Sequence, residues 1–319
     1  MKKIILWPIF SLISIIFILI IYLSLIGHET ERFNSILEKR INSNFYNTTI
    51  NLNKIKIKLN IKKFNFFLTT EKPKIRYQGY EVNINKIDAY LDLKSLIIGK
   101  PKIDTINISS NEIEVNEIKN IIKYQKPSNF KKFFLNEINK GIVTFKLDLD
   151  LEDNKVNEYE INGTVKNFSA NIQSMNLEKT SFIYLIKKNS GEVNNLRGLI
   201  NGLQINTGNF QFDNSESLNI KGNIKSDLKM SKNDFNKLIK KEIIQNFNSL
   251  QIKGKIQSFF EVSFDKTLKI TNYQVEASGT IQKSNIKFHK PKKFLFVKNK
   301  INTLDFEKTK FQVNYNKIN

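Results

Sequence analysis

The chain has no cysteine and only two histidines in 319 residues. The first absence excludes disulfides, thiolate metal sites and cysteine nucleophiles. The second leaves His28 and His289 far apart in sequence, which argues against a histidine metal cluster. No Gly-x-Ser-x-Gly elbow, phosphate-binding loop or dinucleotide-binding glycine fingerprint occurs where chemistry would need one. These gaps leave an enzyme without support and call for no cofactor and no metal.

Acidic residues are also short, 30 against 51 basic ones, for a formal net charge of +21. Such an excess suits phosphate neutralisation. The lysines, however, alternate with Asn and Ile along the chain, as over 51–63, and arginine, the better bidentate reader of phosphates and bases, is scarce. Nucleic acid is therefore not an expected partner, and weak attraction to anionic lipid headgroups fits better. Hydrophobic content of 40%, with 25 Phe and 10 Tyr, is ample for a folded protein.

Against these absences stands an uncharged apolar run from Ile4 to Ile26. As a helix it would extend about 34 Å, enough for a hydrocarbon core of roughly 30 Å. A cleaved signal peptide has a shorter core and a small-x-small site, whereas this run ends Tyr22-Leu23-Ser24-Leu25-Ile26-Gly27-His28, so an uncleaved single-pass anchor over 1–27 is expected. Lys2 and Lys3 precede it and a mixed flank, His28 to Arg32, follows, which places the N-terminus in the cytoplasm and the rest across the membrane.

Next, Phe33, Ile36, Leu37, Ile41 and Phe45 recur at helical spacing and predict an amphipathic helix over 29–45. A membrane-surface helix is the alternative, but the short face and mixed charges favour packing on the first strands. From Thr49 the period becomes two, the signature of strands. Ile55, Ile57, Leu59 and Ile61 alternate with polar residues, as do Val82, Ile84, Ile87, Ala89, Leu91 and Leu93, with a bulge-like phase shift at Asn85-Lys86. Ile103, Ile106, Ile108, Ile113 and Val115 continue the strand pattern after a turn at 99–101. Two short helices follow, around Ile118–Ile122 and Phe130–Ile138, separated by Lys126-Pro127-Ser128, with Gly141 expected to stop the second. This interruption marks a boundary between an α+β module, 28–127, and a repetitive β region, 128–319.

Val143, Phe145, Leu147, Leu149 and Leu151 make the cleanest alternating strand. Then a pattern repeats: Glu160-Ile161-Asn162-Gly163-Thr164-Val165 is echoed at 219–224, 251–256 and, more loosely, 276–281. Each glycine takes an inward, apolar slot, where the strand can bend or admit another backbone. Ser231 is a good N-cap, with Asp234 resembling the other half of a capping box, for a helix whose apolar face is Phe235, Leu238, Ile239, Ile243 and Phe247. The chain closes in a β-like segment, Lys310 to Ile318, that invites continuation or a partner along its edge. Asp148, Asp150, Glu152 and Asp153 could suggest calcium, but they lack the spacing of a calcium loop, and Asp148 and Asp150 are the polar positions of an alternating strand.

The anchor, the helix over 29–45, the segment from Asn85 to Lys100 ending Ser95-Leu96-Ile97-Ile98-Gly99-Lys100, and its continuation Ile103-Asp104-Thr105-Ile106-Asn107-Ile108 together resemble the AsmA-like superfamily, its TamB and YhdP branch, related in architecture to chorein-type bridge lipid transporters. The resemblance implies a mainly β fold with a few helices: a transmembrane helix followed by an extended, curved antiparallel sheet shaped as a groove. It implies a protein of the bacterial inner membrane, with its bulk in the periplasm, that guides phospholipid acyl chains for outer-membrane biogenesis. The expected lining is Ile55, Ile57, Leu59, Ile87, Leu91, Val143, Phe145, Leu147, Leu149, Ile161, Val165, Ile220, Ile224, Ile252 and Ile256. Transport of this kind needs no catalysis. The alternative is a scaffold or tether with a closed β core, engaging other envelope proteins through its C-terminal edge strand.

Overall fold

The computed structural model describes residues 2–32, 34–35, 38–39, 42, 47–62, 65–92, 95, 98, 102–152, 155–172, 175–235, 244–265, 269–295 and 297–317. It is mainly β, 67% strand, and its described strand pairings are antiparallel. The chain divides into two compact units, Met1–Lys126 with Thr144–Ile161, and Pro127–Val143 with Asn162–Asn319.

The first unit opens with α1, Lys2–Leu25, a helix of 24 residues. Its side chains are described from Phe10 onward, 16 residues up to Leu25. Among the described residues no helix is long and apolar enough to cross a membrane. Eight strands follow: β1 (His28–Thr30), β2 (Thr48–Asn51), β3 (Ile55–Asn60), β4 (Asn65–Glu71), β5 (Lys74–Tyr77), β6 (Tyr80–Leu91), β7 (Ile103–Ser110) and β8 (Ile113–Glu114). They lead into α2 (Val115–Ile122); next in the chain, after Pro127, come α3 (Asn129–Glu137), which belongs to the second unit, and β9 (Ile138–Glu152), which enters the first unit at Thr144. The main sheet runs β1-β3-β4-β6-β7-β9. Pairing of β9 with β7 is what draws Thr144–Ile161 into this unit although they follow the expected boundary in sequence.

β2 pairs with β5, and β5 with the first half of β6. Ile50, Leu52 and Ile55 form a small core there, joined by Leu68, Ile75 and Ile87. The other edge of β2 is satisfied by side chains from the helical stretch before it. Glu38 Oε1 accepts the Leu52 N–H at 2.6 Å, Asn42 Oδ1 accepts the Ile50 N–H at 2.8 Å, and Asn34 Nδ2 donates to the Leu52 and Asn53 carbonyls at 3.1 and 2.9 Å. Residues 34, 38 and 42 are four apart, so one helix face presents all three to the strand. A polar stripe therefore blunts an edge that would otherwise offer unpaired backbone groups. The apolar positions expected to dock this helix, Phe33, Ile36, Leu37, Ile41 and Phe45, lie outside the described residues.

The second unit is simpler. After β10 (Lys155–Ile172) come β11 (Met175–Lys187), β12 (Ser190–Ile200), β13 (Leu203–Asp213), β14 (Asn219–Ser231), α4 (Lys232–Phe235), β15 (Phe247–Phe264), β16 (Ile270–Lys292) and β17 (Ile301–Lys317). From β11 onward each strand pairs antiparallel with the next in sequence. Among the described residues these strands pack appreciably only on their sequence neighbours, with α4 against β14 and β15. Among the described residues of this unit no second sheet layer covers them.

Local expectations meet mixed outcomes. The register shifts between Ile84 and Lys86, where the phase of the sequence pattern slips. Ser128 caps α3 by accepting the Lys131 N–H at 3.1 Å. Gly141 does not end that helix: α3 stops at Glu137 because Ile138 already has extended backbone, and Gly141 is buried within β9. Val115, expected in a strand, opens α2, and Ile61 lies in a turn after β3. At α4, Asp234 Oδ2 accepts both the Ser231 N–H, at 2.8 Å, and its hydroxyl, at 2.7 Å, so the carboxylate does the capping. Leu93, the turn at 99–101, Asp153, Leu238, Ile239, Ile243 and Ile318 lie outside the described residues.

Replacing Glu38 by Ala strands the buried Leu52 N–H, at a cost of about 1–3 kcal/mol. The urea midpoint of the Glu38→Ala variant, followed by circular dichroism, is expected to fall accordingly. Glu38→Gln, which keeps an acceptor, should fall by less than half as much.

Candidate apolar faces

Directly paired residues of antiparallel strands share a face, and successive residues alternate faces, so register assigns every side chain. In the first unit one row reads Ile57, Leu68, Ala89, Ile106 and Leu149, across β3, β4, β6, β7 and β9. The next reads Ile55, Thr70, Ile87, Ile108 and Leu147, and a third holds Leu59, Phe66, Leu91 and Ile103. Phe145, two residues before Leu147, falls on the same side by alternation. The opposite face is polar: Lys86 pairs with Asp88 at 2.8 Å, Lys146 with Asp148 at 3.0 Å, and Phe67 stacks on Tyr90 with ring centroids 5.3 Å apart.

The second unit repeats the arrangement over seven strands. Tyr184, Val193, Phe210, Gly222, Phe260, Val275 and Tyr315 form one continuous row from β11 to β17. Ile220 lies opposite Val262, Ile224 opposite Ser258, Ile256 opposite Ser226, and Ile252 opposite both Met230 and Ser284, all on that same face. The reverse face carries Lys221, Lys225, Lys229, Lys253, Lys255 and Lys283. Lys221 Nζ lies 3.0 Å from Glu261, and its hydrogen bond, with a second from Asn219, holds that carboxyl below its ordinary range.

Neither apolar face is well covered. Only fifteen apolar side chains are buried among the described residues. Ile57, Leu59, Ile87, Leu91, Phe145, Leu147, Leu149, Ile220, Ile224, Ile252 and Ile256 are half-buried, as are Val143 in β9 and Ile161 in β10. Ile55 and Val165 are buried, Ile55 within the small core, so that end of the first face is filled. The second face is closed at one end, where Met230, Ile244, Leu250 and Phe288 are buried near α4. At the other margin, on β17, Val313 and Tyr315 are 55% and 62% exposed.

The inward glycines have a definite use. Gly222 lies between Phe210 and Phe260, whose ring centroids are 5.4 Å apart. A Cβ at Gly222 would meet those rings at 2.7 and 2.6 Å. The missing side chain thus lets two aromatics from neighbouring strands cover the gap, an aromatic pairing worth about 0.5–1.5 kcal/mol. At Gly254 and Gly279 the close neighbour is backbone, the carbonyls of Thr280 and Lys255.

Polar groups on these faces feel the low dielectric. Burial pushes the Tyr184 phenol up to about 12. Thr70, Ser226 and Ser284 are buried with hydroxyl oxygens that make no hydrogen bond among the described residues. Sequence reasoning passed over these residues, and over Phe210, Phe212, Phe260 and Phe311, although period-two counting along each strand would have found the aromatics. The hydroxyls carried no signal, because Ser and Thr read as polar positions.

The acidic strand residues are engaged with polar neighbours. Asp148 accepts from Asn107 as well as Lys146, and Asp150 accepts from Thr105 at 3.3 Å. Among the described residues no three His, Asp or Glu side chains gather as a metal site requires.

Gly222→Val drives a branched side chain into two rings and should destabilise by about 1–3 kcal/mol, read as a lowered denaturation midpoint. For Tyr184 the sign is fixed by its raised folded-state pKa: the unfolded chain ionises near 10 and the folded one near 12. Between those values the folded state holds the extra proton, so stability falls as pH rises from about 10 to about 12. Lysines titrate in the same window, so the measured quantity is the difference in denaturation midpoint between the native chain and Tyr184→Phe, which should shrink across it.

Comparison of the chain with family models, curated proteins and solved structures returns no match.

Proposed function

We propose that this is a membrane-anchored, non-enzymatic protein of the AsmA-like kind, whose apolar sheet faces shelter phospholipid acyl chains for transport toward, or upkeep of, a bacterial outer membrane. The observation that supports it most is the second unit's sheet, whose apolar face is seven strands wide and, among the described residues of that unit, has no second sheet opposite. Soluble proteins rarely leave such a face bare, and large uncovered patches mark interaction sites. An acyl chain laid there contributes about 0.8 kcal/mol per buried methylene, with no chemistry required.

The anchor belongs to the same reading. Phe10, Phe17, Ile18 and Leu25 are among the exposed side chains of α1, which is apolar all round. A helix apolar on every side suits a lipid surrounding. With Lys2 and Lys3 in its first turn, ahead of the uncharged run from Ile4, the inner membrane, a cytoplasmic N-terminus and a periplasmic bulk follow. β1 starts at His28, three residues after α1 ends, so the first sheet begins beside the bilayer. Gly27 makes that junction: its φ of +80° and the Ile57 carbonyl 2.9 Å from where a Cβ would sit leave no room for another residue.

A tethering role is the second reading, favoured by β17. Among the described residues it pairs with β16 alone and presents Val313 and Tyr315 outward.

Photo-crosslinking amino acids placed on opposite faces separate the two. Probes at Leu147 and Ile224 should form phospholipid adducts in cells, and probes at Lys146 and Lys225, on the polar faces, should not. Protein adducts without lipid at Leu147 and Ile224 would establish the tether instead.

A further inference from the structure

Two cavities of about 740 and 700 Å³ lie against β1, immediately beyond α1. Register places His28 and Thr30 opposite Ile57 and Ile55, on the apolar side, and Glu29 opposite Lys56 and then Thr69, on the polar side. The smaller cavity reaches His28, Thr30 and Ile57, the larger reaches Lys56 and Thr69, and both include Glu29, Glu31 and Lys54. A ligand at this edge can therefore rest its tail on apolar residues and its polar end among charges.

The charges come in both signs. Glu29 and Lys56 pair at 3.3 Å, while Glu31 and Lys54 have no ion pair among the described residues. Two uncharged groups are also left over. Among the described residues the Oγ1 of Thr69, which is 6% exposed, makes no hydrogen bond, and Asn34, which donates to the Leu52 and Asn53 carbonyls, has a buried Oδ1 that accepts none. A hydroxyl can donate to a phosphate oxygen, and an amide oxygen can accept only from a donor.

We infer that the β1 edge holds the headgroup of a zwitterionic aminophospholipid, its phosphate toward Lys54, Lys56 and the Thr69 hydroxyl and its ammonium toward Glu31 and the Asn34 Oδ1. The inference rests on the lipid-sheltering function proposed above and names the lipid class. The cavities carry Glu29, Glu31 and Glu71 against Arg32, Lys54, Lys56 and Lys72, a near balance of which an anionic headgroup without an amine would answer the basic side alone. A quaternary ammonium offers no N–H to Asn34 or Glu31, and no aromatic face among the described lining residues would receive it.

The test uses the full chain in detergent, equilibrated with equal amounts of phosphatidylethanolamine, phosphatidylcholine and phosphatidylglycerol of identical acyl chains, the retained lipid being quantified by mass spectrometry. Phosphatidylethanolamine should be retained about fivefold over each of the others. Glu31→Gln should cut the preference for the ethanolamine over the choline lipid at least twofold while total lipid stays constant. Equal retention of the three by the native chain, or a preference untouched by Glu31→Gln, overturns the headgroup site and leaves the apolar faces standing. Retention of no lipid at all overturns the sheltering function itself, and the headgroup site with it.

Discussion

Burial of apolar surface drives folding, and a sheet normally satisfies it by turning one face onto a second layer. Among the described residues of the second unit that layer is missing: from β11 onward each strand meets mainly the strand before and the strand after it. Everything else about this unit answers to that constraint. Its lysine-bearing face keeps one side in water, and away from the end near α4 its apolar face is half-buried mainly by its own cross-strand neighbours. Cross-strand pairs, each worth about 0.2–1 kcal/mol, then become the main source of cohesion. Long strands multiply such pairs, and β15 and β16, of 18 and 23 residues, share nearly their whole length.

Within this frame the glycines and aromatics form one device. Removing a side chain at Gly222 admits Phe210 and Phe260 from either side, so the face stays apolar while adjoining strands come close. Burial on the same face raises the Tyr184 phenol, and the Ser226 and Ser284 hydroxyls make no hydrogen bond among the described residues. In the first unit the edges are treated differently. The helical stretch around Asn34, Glu38 and Asn42 closes β2 through hydrogen bonds, whereas β1 borders the cavities rich in charge. An apolar face with a charged margin at its β1 edge matches the polarity of a phospholipid, apolar along its tails and charged at one end.

Alternation made much of this legible in advance. Ile57 and Leu59, Ile87 and Leu91, Leu147 and Leu149, and Ile220, Ile224, Ile252 and Ile256 could be assigned to a common side from period two alone, and register places each set on one face. Boundaries were harder, because Ile138 suits a helix end and a strand start equally, and its extended backbone settles which. The role of Gly222 depended on rings twelve and thirty-eight residues away in sequence, which local patterns cannot connect. The cavities at β1 were hidden for a similar reason. Glu31, Lys54 and Thr69 read as unrelated polar residues until the β1-β3-β4 pairing gathers them.

The central claim is that the apolar faces are occupied by lipid and not by the protein's own side chains. Native mass spectrometry of the full chain, extracted from membranes in mild detergent, tests it most directly. The account predicts folded protein carrying phospholipid that exchanges with added lipid. A folded protein that emerges free of lipid, and takes up none when phospholipid is supplied, would contradict it.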